Sequence, residues 1–288
     1  MNIKAVNLHL SYGRESILHD MHFEINEPKI YGLLGRNGAG KTSLLSLLGS
    51  FREPTSGQLF INGKAPFENA QIMQDITFMY SKDFSSETDT PSTIIKDIHR
   101  YRPNFDLAYA EELLIKFKLE GKKSLYKLSK GKQSAFNVVV GLASRSPITI
   151  FDEVYLGMDA PGRDLFYKEL LKDQELYPRI IILSTHLVSE MDYLFDEVII
   201  IHEGKILLHE TYDDLVSHGV TIIGNKQTVE MFAEGKEVIN QEALGDTKSI
   251  TLYGEISDAD KIYAAELGLQ IGPVSLHDLF IQLTREED

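Results

Sequence analysis

Three features of the sequence predict an α/β fold organised around a mostly parallel sheet. A glycine-rich turn, Gly35 to Gly40, separates an apolar run from a helix-like segment. Strand-like and helix-like segments alternate from Ser129 to His202, and after Gly204 the pattern shifts to shorter elements. Alternation of this kind implies parallel strands covered by helices on both faces. The expectation is such a core with an antiparallel β subdomain, a helical insertion and a small C-terminal α+β domain.

Taken in order, residues 2–10 and 21–34 read as short strands, the second running through Lys29 to Leu34 into the glycine turn, which opens a helix over 41–49. A hairpin around Ser56-Gly57 and Asn62-Gly63 leads to a strand over 76–80. Helical spacing then marks 93–100 and 107–118, within an insertion expected over about 82–143. A helix over 129–143 begins the alternation, followed by strand 148–152, helix 163–176, strand 180–184, helix 187–194 and strand 198–202. Strands at 219–223, 236–240, 249–253 and 269–272, with helices at 226–234 and 258–267, resemble a split βαβ unit. An amphipathic helix over 275–283 closes the chain, its Leu276, Leu279, Phe280 and Leu283 face expected to be local core. The domain boundary is placed between residues 218 and 219, giving domains 1–218 and 219–288.

Composition narrows the function. In a chain of 288 residues, 29 lysines and arginines face 43 aspartates and glutamates, and the net charge of −14 argues against a nucleic-acid partner. No run approaches the roughly 18 to 20 apolar residues that cross a bilayer. The N-terminal stretch has no basic segment followed by an apolar one, so the chain is expected to stay in the cytosol or on its membrane face. The absence of cysteine removes disulfides, thiolate metal sites and cysteine nucleophiles from consideration.

The turn itself reads Gly35-Arg36-Asn37-Gly38-Ala39-Gly40-Lys41-Thr42, followed by Ser43, and fits G-x-x-x-x-G-K-[ST] in its required strand-to-helix context. Glycines let the backbone wrap a phosphate chain, so that consecutive N–H groups and the positive helix end face it. Lys41 is placed at the β and γ oxygens of a nucleotide, and Thr42 offers its hydroxyl to Mg²⁺. The run 148–153 is a strand ending in two acids: Asp152 can hold Mg²⁺ and Glu153 can orient or deprotonate an attacking water.

Leu128-Ser129-Lys130-Gly131-Lys132 lies upstream of that acid strand and resembles the signature motif of ABC ATPases, departing from the common L-S-G-G-Q at Lys130 and Lys132. The resemblance covers about residues 1–215 and implies a P-loop NTPase of the ABC type that binds ATP with Mg²⁺. It implies that Ser129 and Gly131 act on the ATP of an opposite subunit, that His186 in Ser184-Thr185-His186 is the switch histidine, and that Asp159 in Gly157-Met158-Asp159 belongs to the D-loop. Tyr12 resembles the aromatic residue that stacks on adenine. The C-terminal segment 273–280 is similar to the tail of ATP-binding subunits of bacterial peptide and antibiotic-resistance exporters.

The resemblance therefore implies a hydrolysing subunit that pairs with a second copy or a related chain. It would drive a separate transmembrane permease from the cytoplasmic face of the membrane. A soluble ABC ATPase with a mechanical role is the alternative, and a non-hydrolysing regulatory module is disfavoured because Glu153, Lys41 and Ser129 all remain. Where the family usually has a glutamine touching Mg²⁺, the register after strand 76–80 gives Ser81, whose hydroxyl is too short to span the same gap. In the same loop, Phe84 is expected to present its ring to the membrane partner.

Overall fold

The computed structural model describes residues 1–119, 122–254 and 256–285. Residues 120 and 121, inside the expected helical insertion, lie outside the described residues. The chain forms two compact units, Met1–His186 with Tyr193–His209, and Leu187–Asp192 with Glu210–Asp288.

In the first unit, β1 (Ile3–Tyr12) lies between β2 (Glu15–Ile25) and β4 (Ser56–Ile61) in an antiparallel sheet. Alternating residues Ile3, Ala5, Leu8 and Leu10 of β1 are buried, as half-covered strands require. The register slips within the β1–β2 pair, and Asn7 and Asp20 there adopt φ of 46° and 48°. The stretch 21–34, read as continuous strand from its sequence, is interrupted because Lys29 folds back to donate to the Glu27 carbonyl across Pro28. The chain then re-enters as β3 (Ile30–Leu34) of a second sheet.

That sheet has the order β5-β6-β7-β3-β8-β9, comprising β5 (Ile76–Tyr80), β6 (Ile148–Asp152), β7 (Ile180–Thr185), β8 (Glu197–His202) and β9 (Lys205–Thr211) around β3. The pairs from β5 to β8 are parallel. Every residue of β3, β6 and β7 is buried, which accounts for their largely apolar sequences. β9 reverses through Glu203 and Gly204, both at positive φ, the geometry of a two-residue hairpin turn. Helix α1 (Lys41–Leu48) packs Leu44, Leu45, Leu47 and Leu48 between the two sheets in one core. The four-residue α2 (Ala70–Met73), capped by Asn69, leads into β5.

The helical insertion consists of α3 (Pro91–Tyr101), α4 (Leu107–Lys116) and α5 (Lys130–Ser144), each begun by a side-chain cap from Thr90, Asp106 and Ser129. It is joined to α6 (Ala160–Leu176) by ion pairs. Arg145 reaches Asp106 at 2.7 Å and Asp173 at 3.3 Å, while Asp173 also meets Arg179 at 2.7 Å. Asp173 and Arg179 are almost wholly buried, so each offsets the desolvation of the other. Helix α6 starts earlier than its apolar spacing suggests, because Asp159 caps it and Pro161 occupies its first turn.

The second unit holds α7 (Val188–Met191), α8 (Tyr212–Ser217) and a four-stranded antiparallel sheet of order β11-β12-β10-β13. Its members are β10 (Gly219–Asn225), β11 (Val238–Leu244), β12 (Thr247–Tyr253) and β13 (Gln270–Pro273). With α9 (Lys226–Ala233) and α10 (Asp258–Glu266) between strands, this order is that of two interleaved split βαβ units. Ile222, Val229, Phe232, Ile250 and Ala264 form its core. Helix α11 (Leu276–Leu283) buries Leu276, Leu279 and Phe280. The boundary expected between 218 and 219 falls inside this unit, between α8 and β10.

Candidate functional site

The loop between β3 and α1 is shaped by backbone that side chains would obstruct. Gly38 and Gly40 sit at φ of 84° and 108°, in the region that favours glycine. Asn37 precedes these bends and Ala39 lies between them, its N–H closing the turn on the Arg36 carbonyl at 3.1 Å. Lys41, the first residue of α1, is only 7% exposed, and its Nζ donates to the carbonyls of Gly35 and Arg36 at 2.6 and 3.2 Å. Burial pushes the Lys41 ammonium below the ordinary lysine range, and the nearby carboxylates of Glu153 and Asp152 oppose that shift. A cation held over a nest of backbone N–H groups is suited to a phosphate chain.

Asp152 ends β6 and is 7% exposed. Burial raises its carboxyl above the usual carboxylate range, while the Ser184 and Thr42 hydroxyls and the Lys41 ammonium pull it back. Glu153 follows at φ 51°, a strained setting for a side-chain-bearing residue, which turns it out of the strand direction. Its Oε1 lies 2.8 Å from Nδ1 of His186, which follows β7. Behind them, the buried Tyr155 hydroxyl bonds Thr185 and the Ser184 carbonyl, tying the segment after β6 to the end of β7. A cavity of about 510 Å³ opens here, lined by Thr42, Ser81, Asp152 and Glu153 among others.

The structure thus brings the glycine-rich loop, Lys41, Thr42, Asp152, Glu153 and His186 together. Tyr12 borders the same loop: its hydroxyl is 3.3 Å from Ser43 Oγ, and its ring is 39% exposed. Arg52 lies over that ring at 4.5 Å, a neighbour that no sequence pattern marks.

Ser129, Gly131 and Asp159 are elsewhere in the unit. They line a second cavity of about 480 Å³, with Lys130, Lys132, Gly157 and Met158. Ser129 caps α5, accepting from the Lys132 N–H, and Asp159 caps α6, accepting from the Gly162 N–H at 3.0 Å. A Cβ on Gly131 would stand 2.6 Å from the Gly157 carbonyl, so the two loops meet backbone to backbone only because this residue is glycine. Lys132, a departure from the common motif, donates its Nζ to the Phe117 carbonyl at 2.6 Å and ties α5 to the end of α4.

Phe84 does not present its ring to a partner. It is 5% exposed and packs edge-on against Phe136 of α5 with centroids 6.3 Å apart. An apolar ring beside a mostly buried helix face gains more from that face than from solvent.

Residues 18–155 match the family model described as ABC transporter. Over 225 residues the chain is 31% identical to the bacitracin transport ATP-binding protein BcrA of Bacillus licheniformis, covering 74% of this chain and 71% of that one. The chain belongs to the ABC transporter family of ATP-binding proteins. The lantibiotic transport ATP-binding protein SrtF of Streptococcus pyogenes is 28% identical over 222 residues, covering 73% and 91%. A dimeric ATP-binding cassette bound to ADP and Pi shares the fold, with a TM-score of 0.62, 20% identity and coverage of 73% and 98%. This ABC protein is an ATP-binding and ATP-hydrolysing subunit of a transporter, and among its described residues no helix is long and apolar enough to cross a membrane.

In this ABC ATPase, the residue after β5 is Ser81, on the wall of the first cavity. Its hydroxyl stands one bond from Cβ, too short to place a polar atom where a glutamine amide would. Ser81→Ala is expected to keep more than about half of the basal turnover, since at most one water-mediated contact is lost. Phosphate release at saturating Mg-ATP checks this, and a loss as deep as that of an active-site acid variant would make Ser81 a direct ligand.

Proposed function

We propose that the chain works as one half of an ATP-driven pair beneath a separate transmembrane permease, exporting peptides or hydrophobic compounds from the cytoplasmic face of the membrane. The observation that carries the paired arrangement is the separation of the two residue sets. Thr42, Asp152 and Glu153 line one cavity, with Lys41 and His186 beside those acids, whereas Ser129, Gly131 and Asp159 line another, and Lys130 and Gly157 stand on the walls of both. A signature segment whose Ser129 caps α5 and which lines a cavity of its own suits a phosphate carried by a second subunit.

In this reading Arg36, Asn37, Gly38, Ala39, Gly40 and Ser43 wrap the phosphates with Gly35, and Tyr12 takes the adenine. The Thr42 hydroxyl and the Asp152 carboxylate supply oxygens for Mg²⁺. That ion would neutralise charge developing on the transferred phosphoryl group. Glu153 orients and deprotonates the attacking water. His186, held on Glu153, is poised to turn its ring toward the γ-phosphate.

The peptide or hydrophobic cargo rests on the bacitracin and lantibiotic systems of the relatives. Its test is made in the native host. Replacing the gene by its Lys41→Ala form is expected to raise susceptibility to at least one membrane-active peptide or hydrophobic antibiotic by about fourfold or more, because a hydrolysis-dead subunit blocks its permease. Unchanged susceptibility across a broad panel of such compounds would contradict the export assignment.

A further inference from the structure

Helix α5 begins at the signature segment and, further along, buries a polar residue in an otherwise apolar stretch: Asn137, 8% exposed, between Phe136 and Val138. Its side-chain amide donates to the Tyr80 carbonyl at 3.1 Å. Tyr80 is the last residue of β5, an edge strand, and is the register partner of Asp152 on β6. The next residue, Ser81, lines the cavity with Thr42, Asp152 and Glu153. The helix that carries Ser129 lends Lys130 and Ser134 to the wall of that cavity, and the Asn137 hydrogen bond ties the same helix to backbone at its rim.

Neighbouring contacts make this link stiff. Phe136, adjacent to Asn137, takes the Phe84 ring against its own, so two consecutive residues of α5 grip both ends of segment 80–84. At the front of the helix, Gln133 donates to the carbonyls of Leu125 and Leu128 at 3.1 and 3.3 Å. Leu125 and Tyr126 in turn donate to the carbonyls of Asp89 and Glu87, beyond Phe84 in the same loop. A displacement imposed at Ser129 is thus carried to Tyr80 and Ser81 by packed, hydrogen-bonded structure. The buried partner in this bond is Asn137 rather than the part-exposed Tyr80, and the Tyr80 carbonyl gives its amide a hydrogen bond in an otherwise apolar helix face.

We propose that Asn137 is a positioning residue: it transmits engagement of the signature segment to the rim of the catalytic cavity through the Tyr80 carbonyl, in a chain whose Ser81 is too short to do so by its side chain. The inference rests on the reading of the site given above and adds to it a residue that couples its two parts.

The test compares the full chain with Asn137→Ala. Turnover at saturating Mg-ATP is expected to fall about tenfold with KM for ATP within about twofold, the pattern of an interaction that matters after binding. In a Glu153→Gln background, Asn137→Ala should still form ATP-driven dimers, because the signature surface itself is untouched. Adding Ser81→Gln to Asn137→Ala should recover at least half of the lost turnover by restoring a polar link at the rim, estimated as about fivefold or more. Asn137→Asp keeps the volume without the donor and is read in the same way if Asn137→Ala does not fold. Unchanged turnover in a folded variant overturns the proposal. So does a loss of dimerisation alongside turnover, or a loss that Ser81→Gln leaves in place, since either marks a purely structural role. Failure of Glu153→Gln alone to dimerise with ATP would overturn the underlying site reading instead.

Discussion

Glu153→Gln should lower ATP turnover by about 10²- to 10⁴-fold while leaving ATP binding intact, the range set by loss of a positioned general base. The amide preserves the shape of the side chain and its reach toward His186, but it can no longer accept a proton from water. Binding survives because Lys41 and the wrapped backbone of Gly35 to Gly40 are unaltered. Single-turnover phosphate release, with ATP affinity measured alongside it, separates the two effects. Turnover within a few-fold of the unaltered chain would remove Glu153 from the chemistry. The strained φ of 51° at this residue fits the assignment, since such backbone persists where the surroundings impose a particular side-chain direction.

How far the sequence reached depended on how local each signal was. The glycine-rich loop needs only contiguous residues, so its strand, turn and helix were all legible, as were the two acids at the end of β6. The C-terminal strands alternated clearly enough to suggest a split βαβ unit, and the sheet order β11-β12-β10-β13 has that form. Long-range contacts were less legible. Arg52 follows α1 in a segment without periodicity, and only folding places it over Tyr12. Phe84 carried an aromatic ring in a loop, a pattern that suits either an exposed anchor or a core contact, and the nearby α5 face decides for the core. Lys132 read as a departure from a motif because its partner, the Phe117 carbonyl, belongs to a different helix end. Asn137 gave no signal beyond being polar, since what it binds is a backbone carbonyl 57 positions away in the chain.

The central claim is that each ATP is served by the loop of one subunit and the signature segment of another. It is tested most directly by mixing Lys41→Ala chains with Ser129→Arg chains and measuring ATPase activity. Alone, each variant damages both sites of its own dimer and should be nearly inactive. In a mixed dimer both lesions fall on one composite site, and the second is built wholly from unaltered residues. Random pairing of equal amounts makes half of the dimers mixed, so activity should rise to about a quarter of that of the unaltered protein if the two sites act independently. Mixtures no more active than the separate variants, under conditions where exchange of subunits is demonstrated, would contradict the shared site and place Ser129 and Lys41 at the same ATP within one chain.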